Sequence, residues 1–189
     1  MNFIPQSIPD VLLIEPTVHG DSRGYFMESF RQDILNDFLG YEVNFVQDNE
    51  SKSAKGVLRG LHYQLPPYAQ AKLVRVIEGR VLDVAVDIRQ SSPTSGQYVS
   101  KELSSDNHHQ LFIPRGFAHG FVVLSESAVF AYKVDNYYSP NDDRGVAFDD
   151  PEIGIDWVLK SDELQLSDKD KSHPVLSETK ELFLSRLSS

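Results

Sequence analysis

The stretch that decides the fold is Arg80-Val81-Leu82-Asp83-Val84-Ala85-Val86-Asp87-Ile88-Arg89. Every even-numbered residue from 82 to 88 is aliphatic, and this period of two is the pattern of a β-strand. Turn-forming residues bound the run, because Gly79 precedes it and Ser91-Ser92-Pro93 follows it. The stretch therefore predicts a strand of ordinary length whose even-numbered side chains share one face.

Similar runs lie on either side of this strand. Lys72–Ile77 comes before it, and Leu111–Ile113, Gly120–Leu124 and Val129–Val134 come after it, with turn signals between them. Short strands at this spacing are typical of an antiparallel sandwich or barrel, whereas βαβ units would place helical segments between the strands. The sequence therefore predicts a mainly β fold.

Helical segments are predicted to be few and short. Apolar residues at helical spacing mark residues 34–39, and Gly40 ends that pattern. The polar tail beyond Trp157 predicts short helical turns that pack over the β body. The 189 residues contain no repeat and no clear linker, so we expect residues 1–189 to form a single domain.

Composition narrows the possible functions. The net charge of -10 argues against a general nucleic-acid binder, which usually presents a basic face. The absence of cysteine removes disulfides, thiolate catalysis and cysteine-type zinc sites, and it fits a reducing compartment. The longest early apolar run, Val11–Ile14, is far too short for a signal peptide or a membrane span. We therefore expect a cytoplasmic protein with neither a nucleic acid nor a membrane as partner.

The candidate chemistry begins in Arg59-Gly60-Leu61-His62-Tyr63-Gln64, which Lys72 follows closely. His62 is a candidate base because imidazole exchanges protons near neutrality, and Lys72 is a candidate cation for a developing oxyanion. Tyr132, in a later strand, is a possible acid. Each also has a structural interpretation, as a hydrogen-bonded histidine, an edge-strand lysine and a core tyrosine. Proton transfer beside a carbonyl is the reaction class to test first.

Metal chemistry is not predicted. The close histidine pair of the sequence is His108-His109, and neighbouring strand residues point to opposite faces, so this pair is poorly placed to chelate one ion. His119 lies between Gly116 and Gly120, where glycines indicate tight turns or the close approach of a ligand. We expect no metal and no cofactor.

Two further residues have a chemical interpretation beside a structural one. Asp170 ends Ser167-Asp168-Lys169-Asp170, which is similar to a helix-start box, but its carboxylate could also orient His62. Arg59 stands beside a glycine and suits a bidentate phosphate contact. Because the chain contains no glycine-rich phosphate loop of the known types, a nucleotide would need such side-chain contacts.

As an ordered series, these motifs resemble the dTDP-4-dehydrorhamnose 3,5-epimerase family. One such motif would be weak evidence, whereas the series is highly specific and runs nearly the whole chain. The matching segments are 21–26, 45–49, 57–64, 71–76, 83–89, 113–121, 132–133, 137–140 and 166–170.

The resemblance implies a cupin-like jelly roll that needs no metal, usually a homodimer that exchanges N-terminal strands. It implies a dTDP-4-keto-6-deoxy sugar as substrate and epimerisation at C3 and C5 through an enolate. Relatives that epimerise one carbon, or that isomerise the ketone, remain alternatives. A nucleotide-sugar-binding module without chemistry ranks below them, and a metal-dependent cupin oxygenase ranks lower still.

The resemblance also implies roles for individual residues. His62 matches the base and Asp170 its partner, Tyr132 matches the opposing acid, and Lys72 with His119 would stabilise the enolate. The positions that match contacts to the nucleotide sugar are Arg23, Phe26, Glu28, Gln47, Asn49, Arg59, Tyr138, Asp143 and Lys169. Within this set, Tyr138 matches an aromatic that stacks on thymine, and part of the set reaches in from the partner subunit. Asp143 stands where glutamate is common, so its contact is one methylene shorter and its role is open.

Overall fold

The computed structural model describes residues 1–179 and 181–183. Its strands are β1 (Asn2–Pro5), β2 (Leu12–Glu15), β3 (Val18–Asp21), β4 (Gly24–Met27), β5 (Gln47–Ala54), β6 (Leu58–Gln64), β7 (Lys72–Glu78), β8 (Arg80–Asp87), β9 (Tyr98–Ser104), β10 (Gln110–Ile113), β11 (Phe117–Val123), β12 (Ser127–Val134) and β13 (Asp143–Gly145). The helices are α1 (Gln32–Leu39) and α2 (Asp168–Lys171), with 3-10 turns at Ser161–Glu163 and Leu176–Glu178.

The strands form two sheets and a separate ribbon. One sheet has the order β1-β2-β10-β7-β12-β5 and the other has the order β13-β6-β11-β8-β9. Strands β3 and β4 pair only with each other among the described residues. Neighbouring strands within the sheets run antiparallel, as the short, turn-bounded runs predicted. The prediction of a mainly β, antiparallel fold is confirmed.

Strand β8 shows where the core lies. Its odd-numbered residues Val81 and Ala85 are fully buried in a cluster that also contains Val74 and Phe130 of the opposite sheet. Its even-numbered residues pack on the other face of their sheet against the C-terminal segment that includes Trp157. The predicted shared face is therefore present, and both faces of the strand are buried because the chain's tail covers the outer one.

The predicted helical segments are confirmed. Helix α1 ends at Gly40, whose φ of 74° is the left-handed conformation that suits glycine, and its N–H donates to the carbonyl of Asn36 at 2.9 Å. Leu35 is buried against Leu12 and Ile14 of β2. The tail forms the short α2 and two 3-10 turns, as expected.

The β3-β4 ribbon is unlike the rest of the chain. All four residues of β3 are exposed, and so are Tyr25 and Phe26 of β4, at 60% and 68%. Exposed aromatic rings of this size suggest a surface that another molecule covers. In the part of the chain described, no helix is long and apolar enough to cross a membrane.

Candidate active site

A cavity of about 630 Å³ takes side chains from both sheets and from the segment that leads into α2. The predicted residues that line it are Asn49, Arg59, His62, Lys72, His119, Tyr132, Lys169 and Asp170. They come from β5, β6, β7, β11, β12 and α2, so the two-sheet architecture is what brings these distant parts of the sequence together.

His62 and Asp170 form the central pair of the site. His62 Nε2 lies 2.6 Å from Asp170 Oδ1, a hydrogen-bond distance. Burial pushes the pKa of Asp170 upward, but the hydrogen bond and charge of His62, helped by Ser167, outweigh it and hold that pKa below its usual value. An ionised Asp170 accepts a hydrogen bond from the Nε2–H group, so Nδ1 of the neutral ring keeps its lone pair and is the nitrogen able to act as a base.

The structure contains the contacts that both interpretations of the segment Ser167–Asp170 require. Ser167 is the N-cap of α2, and its hydroxyl oxygen accepts from the backbone N–H of Asp170 at 3.1 Å. The Asp170 side chain is hydrogen-bonded to His62. The cap therefore fixes the backbone of the residue whose carboxylate orients the imidazole.

Lys72 opens β7 with its side chain almost fully buried, at 9% exposure. Burial lowers its pKa to about 8, while the charges of Asp83 and Asp143 act in the opposite direction. The ammonium lies 3.4 Å from the carbonyl oxygen of His62, beside the candidate base. At neutral pH, Lys72 therefore brings a poorly hydrated positive charge to the cavity, where it would act strongly on an oxyanion.

A second histidine–carboxylate pair lies behind Lys72. His119 Nε2 is 2.9 Å from Asp83 Oδ2, and both residues are buried. Burial lowers the pKa of His119, against the opposing influence of Asp83. His119 therefore forms part of the cavity wall as a neutral ring that donates its Nε2 hydrogen to a carboxylate and is held in place by it. Asp83 was not among the predicted site residues, although a carboxylate between aliphatic strand residues was a visible signal.

Tyr132 belongs to the sheet opposite that of His62. It shares a strand face with Phe130 and Val134, which are buried, while Tyr132 itself is half-buried and lines the cavity. Burial raises the pKa of its phenol, so the hydroxyl is protonated at neutral pH. A base and an acid on two different sheets suit proton transfer at two faces of one bound ring.

Asp143 joins two other predicted residues beside the cavity. Its Oδ2 accepts from Lys169 Nζ at 2.5 Å and from the Tyr138 hydroxyl at 3.0 Å. These hydrogen bonds raise the pKa of both partners. Tyr138 and Asp143 do not line the cavity themselves, whereas Lys169 does. Asp143 is one methylene shorter than the glutamate common at this position, yet its carboxylate reaches both Lys169 and Tyr138 of its own chain.

Gln47 lies just beyond the cavity lining. Its amide donates to Asn49 Oδ1 at 2.7 Å, and both side chains share one face of β5 with Ser51. The same alternation could have identified Ser51, which lines the cavity and was not predicted.

Three further predicted contacts, on or next to the β3-β4 ribbon, also lie outside the cavity lining of this chain. Arg23 and Phe26 lie on the β3-β4 ribbon, and Glu28 follows it. Arg23 pairs with its neighbour Asp21, and Phe26 is exposed. Within one chain, the structure leaves this group of predicted binding residues apart from the catalytic candidates.

His173 is the residue that sequence reasoning missed most completely. It follows α2, and its Nε2 lies 3.6 Å from the Asp170 carboxylate oxygen that also contacts His62. Burial lowers its pKa, and so does the neighbouring His62. Its position in a polar tail gives no signal of this placement. His108 and His109 behave differently, since His108 packs on Tyr25 and His109 lies 3.7 Å from Glu15.

The cavity therefore holds an imidazole hydrogen-bonded to a carboxylate, a protonated phenol and a buried ammonium. Together with the antiparallel two-sheet sandwich, these groups define an acid–base enzyme that removes and returns protons. The family model described as dTDP-4-dehydrorhamnose 3,5-epimerase matches residues 5–178. The chain belongs to the dTDP-4-dehydrorhamnose 3,5-epimerase family.

Individual relatives agree with this assignment. A dTDP-4-dehydrorhamnose 3,5-epimerase of Shigella flexneri is 58% identical over 170 residues, which cover 90% of this chain and 93% of that protein. A dTDP-6-deoxy-D-glucose-3,5-epimerase of Legionella pneumophila, solved with dTDP-4-keto-L-rhamnose, has a TM-score of 0.94 and 48% identity, with 98% of each chain covered. A 3′-monoepimerase of Streptomyces bikiniensis, solved with dTDP-quinovose, has a TM-score of 0.85 and 33% identity, covering 92% of this chain and 87% of that one. The predicted cupin-like fold is confirmed by these similarities.

Proposed function

We propose that the chain is an isomerase that converts dTDP-4-dehydro-6-deoxy-D-glucose to dTDP-4-dehydro-L-rhamnose, in dTDP-L-rhamnose biosynthesis. The observation that carries the proposal is the 2.6 Å hydrogen bond between His62 and Asp170, within a cavity that also contains Lys72 and Tyr132. The names of the relatives supply the substrate, and the geometry of this chain supplies the chemistry.

The first step is the removal of a proton next to the C4 ketone. The carbonyl acidifies the hydrogens at C3 and C5, because the electrons left behind spread onto oxygen. His62 Nδ1 takes the proton, and Asp170 stabilises the imidazolium that forms. General base catalysis of this kind contributes about 10²–10⁴-fold to the rate.

The second requirement is a partner for the negative charge on the C4 oxygen. The Lys72 ammonium is buried and largely desolvated, so its attraction for an enolate is stronger than that of a surface lysine. His119, whose single ring hydrogen is donated to Asp83, lines the same cavity and leaves Lys72 as the charge partner of the enolate. A fixed oxyanion partner of this kind is worth about 10²–10³-fold.

Inversion requires the new proton to arrive from the opposite face of the ring. Tyr132 is the acid in this step, since it stands on the sheet opposite His62 and keeps its proton at neutral pH. Two cycles, one at C5 and one at C3, give the L-configured product without any cofactor.

The nucleotide is held by side chains. Arg59 binds a phosphate, Tyr138 stacks on thymine, and Lys169 makes a further contact supported by Asp143. Gln47 and Asn49 add polar contacts from β5.

The remaining contacts come from a second copy of the chain. The β3-β4 ribbon carries Arg23 and Phe26 outside the cavity of its own chain and exposes two aromatic rings. A homodimer that exchanges its N-terminal strands would bring the ribbon, with Glu28, to the partner's cavity. The dimer acts in the cytoplasm, which agrees with the absence of cysteine from the sequence.

Epimerisation at C3 alone is the second candidate function. The observation that favours it is the likeness of the fold to the 3′-monoepimerase of Streptomyces bikiniensis. The higher identity to the 3,5-epimerases favours inversion at both carbons. The presence of Tyr132 favours epimerisation over isomerisation of the ketone.

The sugar formed distinguishes the two functions. The purified protein is incubated with dTDP-4-dehydro-6-deoxy-D-glucose, and the mixture is reduced with borohydride and hydrolysed. We expect L-rhamnose and 6-deoxy-L-talose, the two sugars that reduction at C4 of the doubly inverted product can give. Recovery of 6-deoxy-D-allose and 6-deoxy-D-gulose would mean inversion at C3 only, and unchanged quinovose and fucose would mean a protein that binds without turnover.

A further inference from the structure

His173 has no role in the reaction proposed above, yet the fold makes room for its ring. The imidazole packs edge-on against His62, with ring centroids 5.7 Å apart and an angle of 83° between the planes. Gly145 pairs with His62 across β13 and β6, and a Cβ at Gly145 would lie 2.3–2.5 Å from three atoms of the His173 ring. The missing side chain at Gly145 is therefore what allows His173 to approach the catalytic pair.

The polar end of His173 has no hydrogen-bond partner among residues 1–179 and 181–183. Its side chain is only 9% exposed, and Nε2 makes no hydrogen bond within the described part of the chain. A buried polar atom of this kind costs about 1–3 kcal/mol, so its presence beside Asp170 calls for an explanation.

Three metal-ligating groups converge at this point. One nitrogen each of His62 and His173 and one oxygen of Asp170 lie within 4.8 Å of one another. Two imidazoles and a carboxylate, with an open position for water, are a ligand set that Zn²⁺ and similar divalent ions accept. His62 lines the cavity and its side chain is one-third exposed, which gives an ion a path to the site.

We propose that His62, Asp170 and His173 form an inhibitory binding site for a divalent transition-metal ion such as Zn²⁺. The ion is not a cofactor of the reaction. It competes with the hydrogen bond that activates the base, so the inhibition rests on the proposed function whereas the binding itself does not.

The distances indicate a moderate affinity. Ligand atoms around tetrahedral Zn²⁺ stand roughly 3.3–3.6 Å apart, because each bond is about 2.0–2.2 Å long. The 3.6 Å between His173 and Asp170 already fits, but the 2.6 Å between His62 and Asp170 must open. Lys72 and Lys169 add positive charge nearby, although Asp143 pairs with Lys169. We therefore expect weaker binding than at a preformed tetrahedral site.

The ion inhibits by changing the tautomer of His62. In the active form Nε2 keeps its proton and donates a hydrogen bond to Asp170, so Nδ1 has a free lone pair. When the ion takes the Nε2 lone pair, the neutral ring keeps its single proton on Nδ1. The charge of the ring does not change and no proton is released, but Nδ1 no longer accepts one from the sugar. We therefore expect kcat to fall while KM changes little.

The test compares His173→Gln with a matched control, His109→Gln. His109 has a side chain that is 30% exposed, against 9% for His173, and it lies beside Glu15 outside the cluster. Each full-length variant is freed of metal, titrated with ZnCl₂ by calorimetry and assayed at the same concentrations. We expect one Zn²⁺ per chain for the unmodified protein and for His109→Gln. His173→Gln should bind at least ~10-fold more weakly and resist inhibition, with metal-free activity within ~3-fold of normal.

Three results would overturn the proposal: no binding up to millimolar Zn²⁺, equal binding by His173→Gln, or binding that leaves turnover unchanged. Failure of the proposed function looks different. The metal-free protein would then not convert the nucleotide sugar at all, while the calorimetric difference between His173→Gln and His109→Gln would persist.

Discussion

His62 and Asp170 stand 108 positions apart in the chain, yet a 2.6 Å hydrogen bond joins them. At this scale, the account depends on one atom, the Nδ1 lone pair of His62. Replacing His62 with alanine removes that atom and leaves the nucleotide-binding side chains in place. We expect kcat of His62→Ala to fall by at least ~10³-fold, while the affinity for dTDP, measured by calorimetry, stays within ~3-fold. Near-normal turnover in this variant would mean that another residue is the base.

Lys72 gives the site a pH dependence. Its pKa is lowered to about 8 by burial, so the ammonium is present below that pH and is lost as the pH rises through it. We expect kcat/KM, measured with a chelator present, to decline above pH 8 because the neutral amine stabilises an enolate poorly. Lys72→Met should lose about 10²–10³-fold in rate and show no decline near pH 8. A rate of the unmodified protein that stays level to pH 9.5, with circular dichroism unchanged, would show that the charge of Lys72 is not needed.

At the scale of elements, a single residue, Gly79, connects β7 of one sheet to β8 of the other. Gly79 has a φ of 82°, and a Cβ there would lie 2.1 Å from the carbonyl oxygen of Ser127. Gly40 has a similar φ of 74°, but a Cβ at Gly40 would have no atom within 4 Å. A substitution at Gly40 therefore measures the cost of the backbone conformation alone, without a collision.

We expect Gly40→Ala to lower the free energy of unfolding by about 1 kcal/mol, the cost of a left-handed alanine. Gly79→Ala should lose a further ~1–3 kcal/mol, because a main-chain oxygen must move. Urea unfolding followed by circular dichroism, at one protein concentration, measures both. Equal losses for the two variants would show that the turn adjusts without resistance.

Local patterns were sufficient to predict several elements. The alternation in β8 and the glycine that ends α1 each depend on only a few neighbouring residues, and both were found where predicted. The positions of His62, Lys72 and Tyr132 in one cavity were expected from the family resemblance rather than from spacing, since they stand on three strands in two sheets.

Long-range packing explains what the sequence did not reveal. His173 sits in a polar segment with no periodic signal, and its importance depends on the missing side chain at Gly145. Asp83 differs, because a carboxylate inside an aliphatic strand was visible, but its partner His119 is 36 positions away. The order of strands in a sheet decides which residues form such pairs, and that order cannot be read directly from a single sequence.

At the scale of the whole molecule, the two-sheet body completes only part of the predicted site. Arg23 and Phe26 lie on a ribbon outside the cavity of their own chain, which leads to the proposed exchange between two copies. The expectation of a single domain over residues 1–189 stays a prediction.

Subunit mixing tests the exchange directly. His62→Ala and the double variant Arg23→Ala, Phe26→Ala are each expected to be nearly inactive as homodimers. In a heterodimer, the cavity of the double variant would keep His62 and would receive an intact ribbon from the other subunit. Co-expression in equal amounts should therefore restore about a quarter of the normal number of sites. Activity no higher than that of the separate variants would show that each ribbon does not serve its partner's cavity.

The central claim is that one cavity removes protons from both carbons beside the C4 ketone, and isotope exchange tests it most directly. The substrate, dTDP-4-dehydro-6-deoxy-D-glucose, is incubated with the protein in deuterium oxide and followed by proton NMR, beside a sample without protein. We predict that the signals at C3 and C5 both disappear at rates that depend on the protein, and that His62→Ala abolishes this loss. Exchange at one carbon only, or at neither while the nucleotide sugar remains bound, would contradict the account.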